Sequence, residues 1–290
     1  MPLRFNVQGH RGARGLRPEN TLPGFEFAFD VGVTSIETDV HLTKDQVPVL
    51  VHDPVIGNGT LIAAMTLAEL RAFRVDSNPD LARFPDQQAV AGPASAEYAA
   101  SRAIHPFSIP TLADLFAFAD AYAGAMGQRA GKTDAQRQNA AHVYIDLDLK
   151  RVPFCPQTIG DDGTALEEKV LQEVDLGDML SRIAVRCFDH RIVRYLAQRE
   201  PAVRTGVLIA RAAPVRPADL LEAAGAQVYC PEYHFVDAEV VQQIHDAGKT
   251  ILPWTVNQPN EWERLVAWGV DGITTDYPDR LIVWLASRSA

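Results

Sequence analysis

Short apolar runs recur along this chain at intervals that leave room for a helix between them, and that alternation most constrains the fold. Strands are expected at Phe5–Gly9, Ser35–Val40, Val143–Leu149, Ile183–Phe188, Val203–Ile209, Gln227–Cys230, Thr250–Val256 and Asp271–Thr274. Helical patterns fall between most of them, at Thr21–Val31, Arg191–Glu200, Pro217–Ala224, Asp237–Ala247 and Asn260–Trp268, and Arg280–Ser287 reads as a closing helix. Eight parallel strands would close a barrel, so the expected class is α/β, a (β/α)8 barrel of the TIM type. Barrels commonly reach this size as one unit, and residues 1–290 are read as a single domain.

The spacing is uneven in one place, between the second and third strands. There Lys44-Asp45-Gln46 reads as a turn into Val47–Val51, an extra strand folding back on the second. Leu67–Phe73 and Leu112–Ala123 read as helices, the latter following Ile109-Pro110-Thr111. An insertion is therefore expected over about 53–108, in which Val75–Ser108, rich in Pro, Ala, Asp and Ser, forms an irregular excursion over the barrel mouth. The polar, small-residue stretch Gly124–Ala141 reads as a mobile loop.

Composition excludes several classes. A formal net charge of -10 opposes nucleic-acid binding, which needs a basic face to displace counterions. It leaves anionic small molecules open, because a bound divalent cation reverses the local field. The three cysteines, Cys155, Cys187 and Cys230, lack metal-binding or redox spacing. No apolar run is long enough to span a bilayer. No basic and apolar leader pattern precedes His10-Arg11-Gly12, which gives a cytoplasmic expectation; a leader removed ahead of this numbering would leave no trace. The oligomeric state is not encoded in any of these features.

Chemistry-bearing residues gather at expected strand ends. Glu37 and Asp39 are two apart in Ser35-Ile36-Glu37-Thr38-Asp39-Val40, so one strand face carries both carboxylates. Two such charges repel unless protonated or bridged, and oxygen ligands of this kind suit Mg²⁺ or Ca²⁺. A polar edge strand with both acids in water explains the pair equally well. Asp146, Asp148 and Lys150 share a face in the same way, suiting either a metal–phosphate site or a structural ion pair. His10 ends the first strand and His52 the extra strand, and imidazoles near neutral pKa can act as base and acid. Arg11 offers a planar donor fork for phosphate oxygens. Gly9 and Gly12 would let backbone approach a ligand closely.

Taken together, the motifs are more specific than any one of them. The run His10-Arg11-Gly12, Pro18-Glu19-Asn20-Thr21, Glu37-Thr38-Asp39-Val40, Thr43-Lys44-Asp45 and His52-Asp53 resembles the glycerophosphodiester phosphodiesterases, phosphodiesterase barrels of the phosphatidylinositol phospholipase C-like kind. The likeness continues through Ile109-Pro110-Thr111-Leu112, Asp148-Leu149-Lys150, Trp254-Thr255-Val256-Asn257, Gly269-Val270-Asp271-Gly272-Ile273 and Thr275-Asp276-Tyr277-Pro278. The resemblance implies hydrolysis of a glycerophosphodiester to glycerol 3-phosphate and an alcohol. It implies His10 and His52 as the acid–base pair and one divalent cation, Mg²⁺ or Ca²⁺, on Glu37, Asp39 and Asp148. Arg11 and Lys150 would bind phosphate, Glu19 would position the constellation, and Phe188 and Trp254 would shape the substrate pocket.

Some positions depart from the family pattern. Asp148 stands where glutamate is usual, Asp146 replaces a common asparagine, Gln46 a usual glycine and Cys187 a usual serine. Cys187 is read as a buried strand-end residue rather than a nucleophile. Two other readings compete. A lysophospholipase D or phospholipase D-like activity would need an apolar entry, for which Phe73, Phe84, Tyr98 and Phe107 are candidates alongside core packing. A non-catalytic binding or scaffold barrel would be expected to have lost histidines or acids, and all are present.

Overall fold

Where strand parity places apolar side chains on the outer face, the sheet packs against helices, and that pairing of layers organises the molecule. The computed structural model describes residues 5–57, 59–76, 80–151 and 165–288. The strands are β1 (Asn6–Gly9), β2 (Ser35–Leu42), β3 (Pro48–Leu50), β4 (Val55–Ile56), β5 (Thr60–Leu61), β6 (Tyr144–Leu149), β7 (Ile183–Cys187), β8 (Arg204–Ile209), β9 (Val228–Pro231), β10 (Thr250–Ile251) and β11 (Gly272–Thr275). Eight of them run parallel in the order β10-β9-β8-β7-β6-β2-β1-β11, while β3 folds back antiparallel on β2. This is the expected TIM-type barrel with its extra strand.

The seam between β10 and β11 is closed by backbone hydrogen bonds rather than a regular ladder. Asp271 N donates to Ile251 O at 3.2 Å, Thr274 N to Pro253 O at 3.0 Å and Val256 N to Thr274 O at 2.9 Å. The strand expected over Thr250–Val256 is regular only to Ile251, because Pro253 has no N–H to offer. Glu232 and Trp254 continue the pairing as an isolated bridge toward β9.

Outward-facing Val7, Ile36, Val40, Ile145, Leu147, Leu149, Val185, Val207, Tyr229 and Ile273 join the main core with the surrounding helices. The helices at Leu22–Val31, His190–Arg199, Pro217–Ala224, Ala238–Asp246, Pro259–Trp268 and Pro278–Arg288 fall within a few residues of their expected places. The first is capped by Thr21, which accepts from Gly24 N, and ends at Gly32 in the left-handed region. Inside the barrel the lining divides. Gln8, Ser35, Glu37, Asp39, Asp146, Asp148, Arg186 and Thr274 are buried and polar. Leu208, Val228, Cys230 and Leu252 form a separate apolar cluster, with Trp254 packed on it.

One expected loop is helix, and the excursion, irregular as expected over most of its described length, contains another. Gly124–Ala141 is not a mobile loop: it forms helices at Ala125–Arg129 and Asp134–His142. Thr133 and Gln136 make a reciprocal capping box at the second helix, and Lys132 anchors the turn through Glu26 at 2.6 Å and Asp30 at 2.7 Å. The excursion at Val75–Ser108 contains the helix Pro93–Ser101. Its first N–H groups find a remote carboxylate, since Glu26 accepts from Ala94 N at 3.1 Å and Ser95 N at 2.8 Å. A Cβ on Gly92 would lie 2.3 Å from the Glu26 carboxylate, so a larger residue there would displace the side chain that caps this helix. A further helix not anticipated from the pattern, Ala165–Leu176, lies between β6 and β7 and buries Leu166, Val170 and Val174. At the β2–β3 turn, Gln46 takes φ +62°, the left-handed conformation that a glycine adopts more easily. Cys155 and part of the insertion lie outside the described residues.

Candidate active site

A cavity of about 580 Å³ opens at the carboxyl ends of the barrel strands, lined by His10, Arg11, Glu37, Asp39, His52, Asp148, Lys150, Phe188 and Trp254 among others. Nine of the ten residues singled out from sequence therefore meet in one place. Glu19 lies behind them, at the edge of an adjoining cavity.

His10 follows β1 and His52 follows β3, so the fold-back strand carries the second imidazole to the mouth. His10 Nδ1 donates to Asp276 Oδ1 at 2.6 Å, and its Nε2 lies 3.8 Å from Glu37 Oε2. Asp276 is fully buried and also accepts from Asn257 Nδ2 at 2.7 Å. Burial pushes the His10 pKa down to about 4 against the pull of Asp276, so the ring is neutral with Nε2 free to accept a proton. His52 is half-exposed, pairing through Nδ1 with Asp53 at 2.7 Å, while its carbonyl accepts from the buried His41 Nε2 at 3.0 Å.

The carboxylates come from adjacent strands in register, Asp39 opposite Asp148. One oxygen each from Glu37, Asp39 and Asp148 lies within 4.8 Å of the others, a spacing a single ion can span. Asp148 Oδ1 is buried without a hydrogen-bond partner, which a cation would supply. Burial, then the neighbouring Asp39, raises the Glu37 pKa to about 8. Burial acts on Asp39 in the same sense, but Arg11 and Lys150 outweigh it and hold this carboxyl well below the usual range. The donor set is all carboxylate, which fits a hard divalent cation.

The cations are already engaged with these acids. Arg11 reaches both oxygens of Glu19 through Nη1 at 3.0 Å and lies 3.1 Å from Asp39 Oδ2 through Nε. Its backbone N–H donates to Glu37 Oε2 at 3.0 Å from a left-handed φ of 50°, so one residue braces three acids. Arg14 holds Glu19 from the other side at 2.5 Å. Lys150 Nζ lies 2.9 Å from Asp39 Oδ1 and also pairs with Asp148. Phe188 and Trp254 meet edge to face, ring centroids 5.8 Å apart, at the outer side of the cavity.

The role expected of Gly9 and Gly12 is corrected, whereas Cys187 is the buried strand-end residue expected. Gly9 and Gly12 make room for backbone rather than ligand: a Cβ on Gly9 would meet Gly12 O at 2.1 Å, and one on Gly12 would meet Gly24 C at 2.9 Å. Asp146 faces the interior but stays out of the acid cluster, accepting from Gln8 Nε2 at 2.9 Å one layer below. Cys187 lies on the outer face, donating to Leu149 O at 3.1 Å, and burial pushes its thiol pKa up, away from nucleophile chemistry. The aromatic residues considered as an acyl entry are packed. Tyr98 and Phe107 are buried, Phe73 joins the cluster of Val49 and Ile62, and Phe84 lies beneath Arg14 and Arg83. Asn20, Asn257 and Asp276 stand in the family-like motifs without an assigned role, and His41 and Arg186 were not named from sequence. Asn20 fixes Asp39, donating to Oδ2 at 2.8 Å while accepting from Thr38 Oγ1.

No helix among the described residues is long and apolar enough to cross a membrane. The sequence profile of the glycerophosphoryl diester phosphodiesterase family matches residues 10–280. The chain is 30% identical to a glycerophosphoryl diester phosphodiesterase structure from Silicibacter pomeroyi DSS-3, with a TM-score of 0.80 and coverage of 100% of this chain and 95% of that one. It is 26% identical over 281 residues to the glycerophosphodiester phosphodiesterase of Caldanaerobacter subterraneus subsp. tengcongensis, covering 95% of this chain and 96% of the relative. An Oleispira antarctica phosphodiesterase, solved with its product sn-glycerol-3-phosphate, shares the fold at 20% identity and a TM-score of 0.71, over 97% of this chain and 96% of that one.

Proposed function

The chain belongs to the glycerophosphoryl diester phosphodiesterase family and is a phosphoric diester hydrolase, and on that premise we propose that it cleaves glycerophosphodiesters to glycerol 3-phosphate and an alcohol. Glu37, Asp39 and Asp148 would hold one divalent cation, Mg²⁺ or Ca²⁺, with His10 and His52 as base and acid. The observation that carries the reading is the His10–Asp276 pair at 2.6 Å, aimed across Glu37 in the cavity that also holds Arg11, Lys150 and His52.

Bound on the three acids, the cation would supply Lewis-acid polarisation of the phosphoryl oxygens. The protein's own groups do the remaining work. Arg11 and Lys150 neutralise the phosphate from fixed positions, so little reorganisation is needed as charge develops. Asp276 holds His10 in the tautomer whose Nε2 is unprotonated, and Nε2 takes the proton of the substrate's neighbouring glycerol hydroxyl or of a water. His52, at the mouth beside Asp53, returns a proton to the departing alkoxide. Attack by the hydroxyl gives a cyclic phosphate that water then opens, with the two imidazoles exchanging roles.

The test is a panel of glycerophosphocholine, glycerophosphoethanolamine and lysophosphatidylcholine, assayed for glycerol 3-phosphate after EDTA treatment and after return of Mg²⁺ or Ca²⁺. Cation-dependent release from the first two supports the reading. Choline release from lysophosphatidylcholine alone would replace it with the lysophospholipase D reading. His10→Ala and His52→Ala are each expected to abolish turnover with cation binding intact, and wild-type-like turnover in either sinks the scheme.

A further inference from the structure

The floor of the cavity is a polar layer that the acid–base chemistry does not use, and Arg186 and Thr274 line the cavity from it. Gln8 stands at its centre. Its Oε1 accepts from Thr274 Oγ1 at 2.7 Å and from Arg186 Nη2 at 2.6 Å, and its Nε2 donates to Ser35 Oγ at 3.0 Å and Asp146 Oδ2 at 2.9 Å. Arg186 Nη2 is 3.5 Å from Asp146 Oδ2. Both charged residues are buried, Arg186 to 2% exposure and Asp146 to 6%.

The strand register explains how they meet. Arg186 stands opposite Asp148, whereas Asp146 stands opposite Ala184. Arg186 is thus level with Asp148 along the strands, yet its Nη2 reaches Asp146 and Gln8 one layer down. Its Nε and Nη1 have no hydrogen-bond partner, and the residue lines the cavity with Glu37 and Asp148. A fixed positive charge therefore sits below a cluster suited to a divalent cation, and a fixed negative charge sits directly beside it.

Neither charge is tolerable alone. An unpaired carboxylate or guanidinium in this setting loses its hydration without compensation. An uncompensated Arg186 would also repel any cation approaching Glu37 and Asp148, whereas an uncompensated Asp146 would add a further attracting charge. Arg11 and Lys150 are already taken by Glu19, Asp39 and Asp148, so Arg186 is the cation placed to match Asp146.

We propose that Asp146 and Arg186 form a compensating pair that sets the affinity of the overlying carboxylates for a divalent cation without either being among its ligands. They are positioning residues acting through charge, and the inference rests on the reading that Glu37, Asp39 and Asp148 hold a cation. Asp146→Asn is isosteric and keeps the acceptor for Gln8, so it exposes Arg186 alone. Arg186→Gln exposes Asp146 alone.

The experiment is calorimetric titration of the EDTA-treated full chain with Ca²⁺ and with Mg²⁺, alongside thermal melting, for the wild type, both single variants, the double variant and Arg186→Lys. Asp146→Asn is expected to weaken cation binding on the order of tenfold and Arg186→Gln to strengthen it, since the two remove opposite charges. Both singles should melt below the wild type in the absence of cation, and the double variant should recover both affinity and melting temperature. Arg186→Lys keeps the charge and should keep the affinity within about threefold. Cation binding in the wild type with unmoved affinities in the singles, or shifts in the same direction, overturns this inference alone. So does a double variant that melts no higher than the worse single. If Arg186→Gln fails to fold, Asp146→Asn and the double variant decide. Absence of cation binding by the wild type removes the metal reading and this inference with it.

Discussion

Replacing Asp276 with asparagine tests the assignment of His10 as the proton acceptor at almost no steric cost. Asp276 accepts from two directions, His10 at 2.6 Å and Asn257 Nδ2 at 2.7 Å. Asn257 is itself fixed, since its Oδ1 accepts from Asp276 N at 3.0 Å and Thr275 Oγ1 at 3.1 Å, so its amide group must keep donating. In Asp276→Asn the new side-chain oxygen therefore stays toward Asn257 and the new NH₂ faces His10. The imidazole must then accept at Nδ1, and its proton moves to Nε2, the nitrogen that should be free. Loss of a buried hydrogen bond to a charged group costs about 1.5–3 kcal/mol, and loss of a positioned general base costs about 10²–10⁴ in rate. We expect kcat/KM for glycerophosphocholine to fall by about 10²–10⁴, with calorimetric cation affinity within about threefold of wild type, since Asp276 is not among the ligand acids. A folded Asp276→Asn enzyme within about threefold of wild-type kcat/KM would refute the tautomer argument.

The acid cluster predicts that cation stabilises the fold: at a free concentration a hundred times its dissociation constant, Ca²⁺ or Mg²⁺ should add about 2.7 kcal/mol. Asp148→Asn should remove most of that gain, read as the difference in melting temperature with and without EDTA. His41, buried and held neutral with a pKa near 4 by burial, gives a pH signature. Between about pH 6.5 and 4 the unfolded chain takes up a proton that the folded one refuses, so stability rises with pH across that window and is lost as pH falls through it. The ceiling is about 3 kcal/mol, a bound cation can only depress the pKa further, and His41→Gln should flatten the slope in urea titrations. Gly92→Ala would place a methyl carbon 2.3 Å from the Glu26 carboxylate, forcing it off Ala94 N and Ser95 N. A loss of about 2–4 kcal/mol in unfolding free energy is expected, and a wild-type melting temperature would show that Glu26 does not hold this helix.

The parts of the site legible in sequence were those whose partners share a strand. Glu37 with Asp39, and Asp148 with Lys150, follow from period two alone, whereas the register opposing Asp39 to Asp148 is fixed only by the pairing of the two strands in the barrel. Asp276 was harder, because it acts on a histidine 266 residues away that becomes adjacent only when β11 closes against β1. Its place just after the last barrel strand was nevertheless a usable signal. Arg186 was visible as a lone charge on the inward parity of an otherwise apolar run, and its meaning needed the Gln8 layer. The helix Asp134–His142 was readable from Thr133 and Gln136, a capping pattern hidden by polar composition, and Ala165–Leu176 from apolar residues four apart. Pro93–Ser101 was not readable, since the carboxylate that caps it arrives from Glu26.

The interior of β8, β9 and β10 marks the remaining limit and also gives the barrel its functional division. Residues Gly206-Val207-Leu208-Ile209 are apolar on both faces, so no alternation distinguishes inside from outside before closure. Once closed, Leu208, Val228, Cys230 and Leu252 fill one half of the barrel and present Trp254 at the rim, opposite the half carrying acids and cations. Low dielectric on one wall strengthens every charge on the other, so Glu37, Asp39 and Asp148 act on one another and on Arg11 and Lys150 more strongly than they would in water. A barrel lined with polar groups all round would admit water and weaken those charges. The apolar strands are therefore as much a part of the site's electrostatics as Glu37 or Lys150, although they carry no group that a sequence motif could name.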